Sequence, residues 1–296
     1  MSQNIPDVQI PFAQNLLEIN KIIVVDWYMF AFTAITNYGL MKKQNLKFNP
    51  VPTYTLLNSL LSHLKRIGVQ PNDIIILAKD KKSWRKKYST EYKKDREEKR
   101  SSFEKDTGIT FGEEFSKINS LFNTLDITYP FYCIEEEGLE ADDIAALICK
   151  EFIDKEIILL SFDSDWEQLW FYSNVKIYSP HSARTKKNNN WKIKPKEFDY
   201  KVFLNNELNK KTHNNLGTEL ATADALELKM MLINLVDLPE FIISYKDSIL
   251  KKLDKQKEFI PEIIKSPSLN KKIQTLFEQD KILSYDKVFK KQRKVK

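Results

Sequence analysis

Short runs of unbroken apolar residues alternate in this chain with longer stretches patterned at helical spacing. Ile22-Ile23-Val24-Val25, Ile74-Ile75-Ile76-Leu77 and Ile157-Ile158-Leu159-Leu160 have no polar interruption, so they predict strands buried on both faces. The pattern places strands at Lys21–Val25, Asp73–Ala78, Ile127–Cys133, Glu156–Phe162 and Val175–Tyr178. Between them, Thr53–Ile67 carries Leu56, Leu57, Leu60, Leu61 and Leu64 on one helical face and stops at Gly68. A second apolar helix follows Gly138-Leu139-Glu140 and runs to about Phe152. Strands alternating with helices predict a parallel, helix-covered α/β sheet.

Beyond this sheet the pattern is helical. Leu220–Val236, Glu240–Leu253, Ile260–Ile264 and Asn270–Phe277 have helical spacing, with a break at Asp237-Leu238-Pro239. Leu228, Met231, Leu232, Leu235 and Leu238 read as a core stripe. The expected division is an α/β domain over residues 1–198 and a smaller helical region over 199–296. Residues 1–20 read as a loose lead-in and Ser182–Asn190 as a polar linker.

The acidic positions add chemistry to the pattern. Three of the strand-like runs end in aspartate, at Asp26, Asp80 and Asp163-Ser164-Asp165. The helix after Gly138 opens with Glu140, Asp142 and Asp143, of which Glu140 and Asp143 share a face. Acidic residues in a helix's first turn are common, since the dipole there is positive. In an open α/β sheet, however, sites form at the carboxyl ends of strands. Six or seven carboxylates would then converge on one edge of one sheet. Two unit charges about 4 Å apart repel by about 4 kcal/mol at an effective dielectric near 20. A cation relieves that repulsion, and hard oxygen ligands without His or Cys point to Mg²⁺ or Mn²⁺ rather than zinc. Divalent pairs in carboxylate clusters are apparatus for phosphodiester hydrolysis.

Charge distribution sharpens this reading. The formal net charge of +6 conceals a basic run over Lys79–Arg100 and another in the Phe289–Lys296 tail. The first run interleaves Trp84, Tyr88 and Tyr92 with many cations and has almost no apolar periodicity. Such a mixture suits single-stranded nucleic acid, with cations on phosphates and rings on bases. A solvated loop is the plainer alternative for the run taken alone. The two cysteines, Cys133 and Cys149, fall in a strand and a helix and read as reduced core residues, which favours a cytosolic compartment. No apolar run reaches membrane-spanning length. His63, His181 and His213 are scattered, Ser161 and Ser164 read as turn residues, and no phosphate-cradling glycine loop occurs.

In this order the motifs resemble the 5′-nuclease (flap endonuclease-like, PIN-like) superfamily, and within it the bacteriophage ribonuclease H / 5′→3′ exonuclease branch. The matching residues are Val24-Val25-Asp26, Asp80 with Trp84-Arg85, Tyr92-Lys93-Lys94-Asp95-Arg96, Glu140-Ala141-Asp142-Asp143, and Phe162-Asp163-Ser164-Asp165 with Gln168-Leu169. The segment from Tyr178-Ser179-Pro180 through Trp191-Lys192-Ile193-Lys194 extends the likeness, which covers roughly residues 20–200. The resemblance implies a PIN-like α/β nuclease domain whose helical arch spans about residues 81–112. It also implies a ligand set of Asp26, Asp80, Glu140, Asp142, Asp143, Asp163 and Asp165 for two Mg²⁺ or Mn²⁺ ions. Lys93 and Arg96 would face the scissile phosphate, and Arg85, Lys86, Tyr92, Lys94, Lys99 and Arg100 would touch nucleic acid.

One departure stands out. Relatives carry a helix-three-turn-helix with a Gly-Asp…Asp-Asn signature, which grips duplex DNA and adds a metal carboxylate. Here Phe203–Asn215 has no such signature, which bears on the second metal site. The expected activity is metal-dependent 5′→3′ exonuclease and flap endonuclease cleavage of flapped or nicked DNA and of RNA·DNA primers. The protein would act as a monomer in the cytoplasm (of a host cell, if phage-encoded), with a single-strand-binding protein or clamp as possible partner. The alternatives are a homologue that binds branched DNA without cutting, and a PIN-type endoribonuclease.

Overall fold

The computed structural model describes residues 19–47, 49–70, 72–89, 92–128, 130–180, 190–211, 223–254, 268–269 and 271–272. The expected lead-in (apart from its last two residues), most of the Ser182–Asn190 linker, His181, His213, Ile260–Ile264, most of Asn270–Phe277 and the basic tail lie outside those residues.

Five parallel strands form one sheet in the order β3-β2-β1-β4-β5. They are β1 (Lys21–Asp26), β2 (Ile74–Ala78), β3 (Phe131–Ile134), β4 (Glu156–Leu160) and β5 (Val175–Tyr178). Every strand points the same way, so every carboxyl end lies on one edge. The chain leaves β1 for β2 on one side and later returns to β4 on the other. That reversal opens a crevice beside the end of β1, where doubly wound sheets place their sites.

Period-two alternation divides the strand residues between two cores. Ile22 and Val24 of β1, with Ile74, Ile76 and Ala78 of β2, face one side; Ile23, Val25, Ile75 and Leu77 face the other. The second side is covered by α1 (Trp27–Lys43), α2 (Pro52–Ile67) and α4 (Phe111–Thr128). The first side is covered by α5 (Ala141–Glu151), the 3₁₀ turn Asp165–Phe171 and the C-terminal helices. Those helices are α6 (Tyr200–Lys211), α7 (Ala223–Ile233), α8 (Glu240–Ile243) and α9 (Lys246–Leu253). Leu204, Leu208, Leu232, Leu235, Leu238, Ile242, Ile249 and Leu253 join the same apolar cluster as the sheet. Cys133 and Cys149 are free and buried, and among the described residues no helix is long and apolar enough to cross a membrane.

Several local expectations change. The strand placed at Ile127–Cys133 starts later: α4 continues to Thr128 and β3 begins at Phe131. Ile127 is exposed at the helix end, so its β-branched side chain was a false strand signal. The strand placed at Glu156–Phe162 closes at Leu160, where Ser161 turns towards the cleft. Trp27-Tyr28-Met29-Phe30, directly after Asp26, opens a helix that the pattern did not predict, α1, whose apolar residues occur all round and so show no one-sided period. Asp26 starts that helix by accepting the Met29 N–H at 3.0 Å. In the basic insertion, a 3₁₀ turn at Trp84–Lys87 precedes α3 (Lys94–Thr107), a helix without an apolar stripe. The pattern at Leu220–Val236 ends at Ile233, because Asn234 Oδ1 accepts the Val236 and Asp237 N–H groups and turns the chain. Glu240–Leu253 divides into α8 and α9.

Gly39 lets α3 approach α1. A Cβ there would lie 2.8 Å from Phe103 Cε1 and 3.1 Å from Ile109 Cδ1. Replacing Gly39 by Val is expected to lower unfolding stability by about 1–3 kcal/mol through overpacking, read as a lower urea midpoint. An unchanged midpoint would mean that α3 is not held against α1 at this point.

Candidate active site

The cleft at the sheet's carboxyl edge is built by four chain reversals. Asp26 ends β1, Asp80 lies two residues beyond β2, Glu140 caps α5 after β3, and Asp163 follows β4. Three backbone hydrogen bonds hold the second and third of these together. Lys81 N–H donates to the Leu139 carbonyl at 2.8 Å, Gly138 N–H to the Lys81 carbonyl at 2.9 Å, and Trp84 N–H to the Gly138 carbonyl at 2.8 Å. Gly138 turns with φ +95°, a conformation that a Cβ would oppose. The Ala141 N–H at the start of α5 then reaches Asp80 Oδ1 at 2.8 Å.

Six of the seven expected carboxylates separate into two groups, and Asp165 belongs to neither. Asp26, Asp80, Asp142 and Asp163 are half-buried and close enough to disturb one another's ionisation. Burial, then Asp80 and Asp163, push the Asp26 carboxyl up to about 7. Burial and Asp163 raise Asp142 well above the ordinary carboxylate range. Asp80 is raised by burial and by Glu140, against the pull of Lys93, the Ala141 N–H and Arg96. Asp165 sits at the start of the 3₁₀ turn, where its N–H donates to Asp163 Oδ1 at 3.0 Å.

Glu140 and Asp143 are placed differently from a shared ligand role. They are 2% and 0% exposed, and their oxygens are taken up inside the protein. Arg85 donates from Nη2 to Asp143 Oδ1 at 2.8 Å and from Nη1 to Asp143 Oδ2 at 2.9 Å and Glu140 Oε2 at 3.0 Å. Trp84 Nε1 and the Glu140 N–H also donate to Asp143 Oδ2. Tyr92 Oη donates to Glu140 Oε2 at 2.9 Å, and Lys93 Nζ to Oε1. Despite its burial, Glu140 is held down at about 2, chiefly by Lys93 and Arg85.

The structure therefore corrects three expectations for the basic run. Arg85 is buried with its charge spent on Asp143 and Glu140, so it does not present itself to a phosphate. Trp84 is buried against Tyr88 and Phe241 and is no open stacking platform. Tyr92 points its hydroxyl inward to Glu140.

The remaining cations line the arch. Lys93 stands at the base of α3 with φ +61°, an uncommon conformation for a residue with a side chain, held by the ion pair to Glu140. Arg96 is exposed beside it and acts electrostatically on Asp80. Lys86 pairs with Glu97 at 3.5 Å on the surface, and Lys99 is exposed. Arg100 lies over the Phe32 ring at 4.5 Å. The side chain of Lys94 is outside the described residues.

Some contributors carried weak sequence signals or none. Ser161 Oγ donates to Asp26 Oδ2 at 3.2 Å, and Trp166 Nε1 to Asp142 Oδ1 at 2.6 Å. Lys192 Nζ reaches Glu167 Oε1 at 2.7 Å and the Asp163 carbonyl at 3.3 Å, bracing the loop that carries Asp163. Trp166 and Lys192 lie in matched segments but have no chemistry that spacing alone exposes. Asp199 caps α6 by accepting the Lys201 and Val202 N–H groups, and Glu207 is buried on that helix.

The donor chemistry fits a hard divalent cation. Four oxygen-bearing side chains raise one another's affinity for positive charge, and no His or Cys stands among them. Among the described residues no three of them converge as a preformed ligand set; their oxygens turn instead onto protein donors such as Met29 N–H, Ala141 N–H and Trp166 Nε1. Asp26, Asp80, Asp142 and Asp163 would hold such an ion.

The raised carboxyls give a pH signature in the metal-free protein. With a folded pKa near 7 and an unfolded value of 3.8, Asp26 holds its proton more tightly when folded. Stability is then expected to fall as pH rises from about 4 to about 7 in EDTA, with Asp80 and Asp142 pushing the same way. Glu140, lowered to about 2 from 4.5, works the other way at the acidic end, adding stability as pH rises to about 5.5 and no slope above it, so the decline is clearest from about pH 5.5 to about 7. Thermal melts from pH 4.5 to 7.5 test this. Asp26→Asn should flatten the decline, and an equally steep decline in that variant would contradict the assignment.

Comparison with known proteins finds relatives among nucleases. Ribonuclease H of Enterobacteria phage T4 is 29% identical over 165 residues, covering 54% of this chain and 52% of that protein. The chain thus spans about half the length of the curated relative it matches. Among solved structures, the bacteriophage T5 flap endonuclease in a pseudo-enzyme-product complex with DNA and metal ions aligns with a TM-score of 0.46 at 17% identity, covering 88% of this chain and 100% of that one. The catalytic core of Rad2 with a DNA substrate aligns at 0.30 and 13% identity, covering 92% of each chain. Residues 21–202, well over half of the chain, match the family of 5′-3′ exonuclease N-terminal, resolvase-like domains, and the protein belongs to that family.

Proposed function

We propose that this protein is a divalent-metal-dependent 5′→3′ nuclease that hydrolyses phosphodiesters in flapped or nicked DNA and in RNA·DNA primers. The observation that carries this reading is that the parallel sheet delivers Asp26, Asp80, Asp142 and Asp163 to one edge beside the end of β1, near enough to raise one another's carboxyls, with Lys93 at the base of α3 acting on Asp80 and Asp142. A site that concentrates negative charge is a poor resting place for a nucleic acid unless cations bring the phosphate in. The protein has both halves of that arrangement. Its similarity to the phage T4 ribonuclease H, and the DNA and metal ions held by the T5 flap endonuclease, support the same reading.

A Mg²⁺ or Mn²⁺ ion in this cluster would acidify an attacking water and offset charge on the phosphate oxygens. The protein's own residues supply the rest. Ser161 and the Met29 N–H hold the Asp26 carboxylate at the mouth of the crevice. Trp166 orients Asp142, and Lys192 braces the Asp163 loop. Lys93, charged throughout the physiological range because carboxylates surround it, stands where a phosphate entering under α3 would meet it. Moving from Glu140 to that phosphate, its ammonium offsets the charge that grows as the P–O bond breaks. Arg96, exposed on the first turn of α3, extends the positive face away from the crevice. Arg85 keeps Glu140 charge-balanced when Lys93 leaves it.

Cleavage of 5′-labelled flap, nicked-duplex and RNA·DNA substrates in Mg²⁺, Mn²⁺ and EDTA tests the proposal. Short 5′ products that depend on metal are expected. Asp163→Ala or Asp142→Ala should abolish them with DNA binding largely retained, and Lys93→Ala should slow cleavage by about 10²–10³-fold. Wild-type protein that binds but never cuts would instead make this a DNA-binding homologue. Affinity for flapped DNA should also fall steeply with salt, the log–log slope growing by about 0.9 for each phosphate contacted. A flat response would remove the arch as the nucleic-acid clamp.

A further inference from the structure

The end of α7 touches both halves of the carboxylate cluster through its main chain. A helix C-terminus leaves its last carbonyls without intrahelical partners, and buried ones need donors from elsewhere. Here two consecutive carbonyls receive them from opposite sides. Arg85 Nε donates to the Leu232 carbonyl at 2.7 Å, and Gln168 Nε2 donates to the Ile233 carbonyl at 3.0 Å. Gln168 Oε1 also accepts the Leu235 N–H at 3.1 Å. Gln168 is 0% exposed, and these bonds use both ends of its amide on one short stretch of backbone.

Each side chain leads back to a different set of acids. Arg85 grips Asp143 and Glu140, which flank Asp142 at the start of α5. Gln168 belongs to the 3₁₀ turn that opens at Asp165, whose N–H is bonded to Asp163. Trp166 of that turn closes the circuit by donating to Asp142. The ring of contacts therefore runs from Asp142 through Asp143, Arg85, Leu232, Ile233, Gln168 and Trp166 and returns to Asp142.

We propose that the last turn of α7 is a main-chain strut that sets the separation between the Asp80/Asp142 side and the Asp163 side of the cluster, with Arg85 and Gln168 as positioning residues. The proposal rests on the nuclease reading for its consequence in turnover, but its geometry concerns cation binding alone. Neither residue touches substrate; each acts through the carboxylates it places. The negative end of the α7 dipole favours a guanidinium at that carbonyl, which ties the strut's position to the charge of Arg85. A C-terminal helix thereby becomes part of the site through its main chain.

Gln168→Met tests the strut directly, because it keeps the side chain's length and bulk but removes both hydrogen bonds. Mn²⁺ titration, followed by calorimetry or by the electron paramagnetic resonance of the free ion, is expected to show about 10-fold weaker binding. On flap DNA, kcat should fall by about 10–100-fold with KM little changed, since the loss concerns the arrangement of the acids and not substrate capture. Arg85→Lys, which keeps the charge but not the planar fork, should recover part of the Mn²⁺ affinity lost in Arg85→Gln. By reciprocity, Mn²⁺ should slow hydrogen exchange of the Leu235 amide in the wild-type protein, a measurement that needs no variant to fold. Wild-type Mn²⁺ affinity in Gln168→Met, or no effect of Mn²⁺ on the Leu235 amide, would overturn the strut. Absence of cleavage by the wild-type protein would instead overturn the nuclease reading and leave the Mn²⁺ comparisons to decide the strut.

Discussion

Repulsion among carboxylates at the end of a parallel sheet is the constraint on which the rest of this structure depends. Because all five strands run the same way, Asp26, Asp80 and Asp163 are delivered to one edge whether or not their charges are compatible. The folded protein tolerates them by taking their oxygens into hydrogen bonds with Met29 N–H and Ser161, Ala141 N–H, and Asp165 N–H, and those of the neighbouring Asp142 with Trp166. It also tolerates them by favouring the proton on Asp26 and Asp142. Both devices are substitutes for a cation. The cleft is in this sense a strained electrostatic arrangement that a divalent ion would relax.

Next to it lies the opposite solution to the same problem. Glu140 and Asp143 are more deeply buried than the four cleft aspartates, yet Glu140 is fully ionised because Arg85 and Lys93 meet it. Burying such pairs contributes little net stability, since the desolvation cost offsets most of the Coulombic gain. What it contributes is geometry. Arg85 has a planar fork that can satisfy two carboxylates and a carbonyl at once, and a lysine at that position would satisfy fewer. The network also sets the resting position of Lys93 at the foot of α3, so the arch begins from an ion pair within the protein. A phosphate arriving there competes with Glu140 for one ammonium group, and Arg85 makes that exchange tolerable.

The C-terminal helices owe their place to the same network. Their apolar residues join the core on one face of the sheet, which accounts for their packing. Their register along the cleft is decided by the polar contacts of Leu232 and Ile233 with Arg85 and Gln168. Apolar burial is non-directional, whereas two hydrogen bonds to adjacent carbonyls admit one register.

The sequence by itself determined the parallel sheet, the position of its aspartates, the Leu-rich helix α2 and the helix that opens at Glu140-Ala141-Asp142-Asp143. These are local properties: an unbroken β-branched run, a helical period, an acidic first turn. It did not reveal α1, since a helix apolar on all sides has no period to read, nor the true start of β3, since Ile127 has strand character at a helix end. The sorting of the carboxylates was also beyond it. Asp142 and Asp143 are adjacent and chemically identical, yet one faces the cleft and the other meets Arg85 across 58 positions of sequence. Only the tertiary structure decided that, because on a helix consecutive residues point about 100° apart and what each then meets is set by elements remote in the chain.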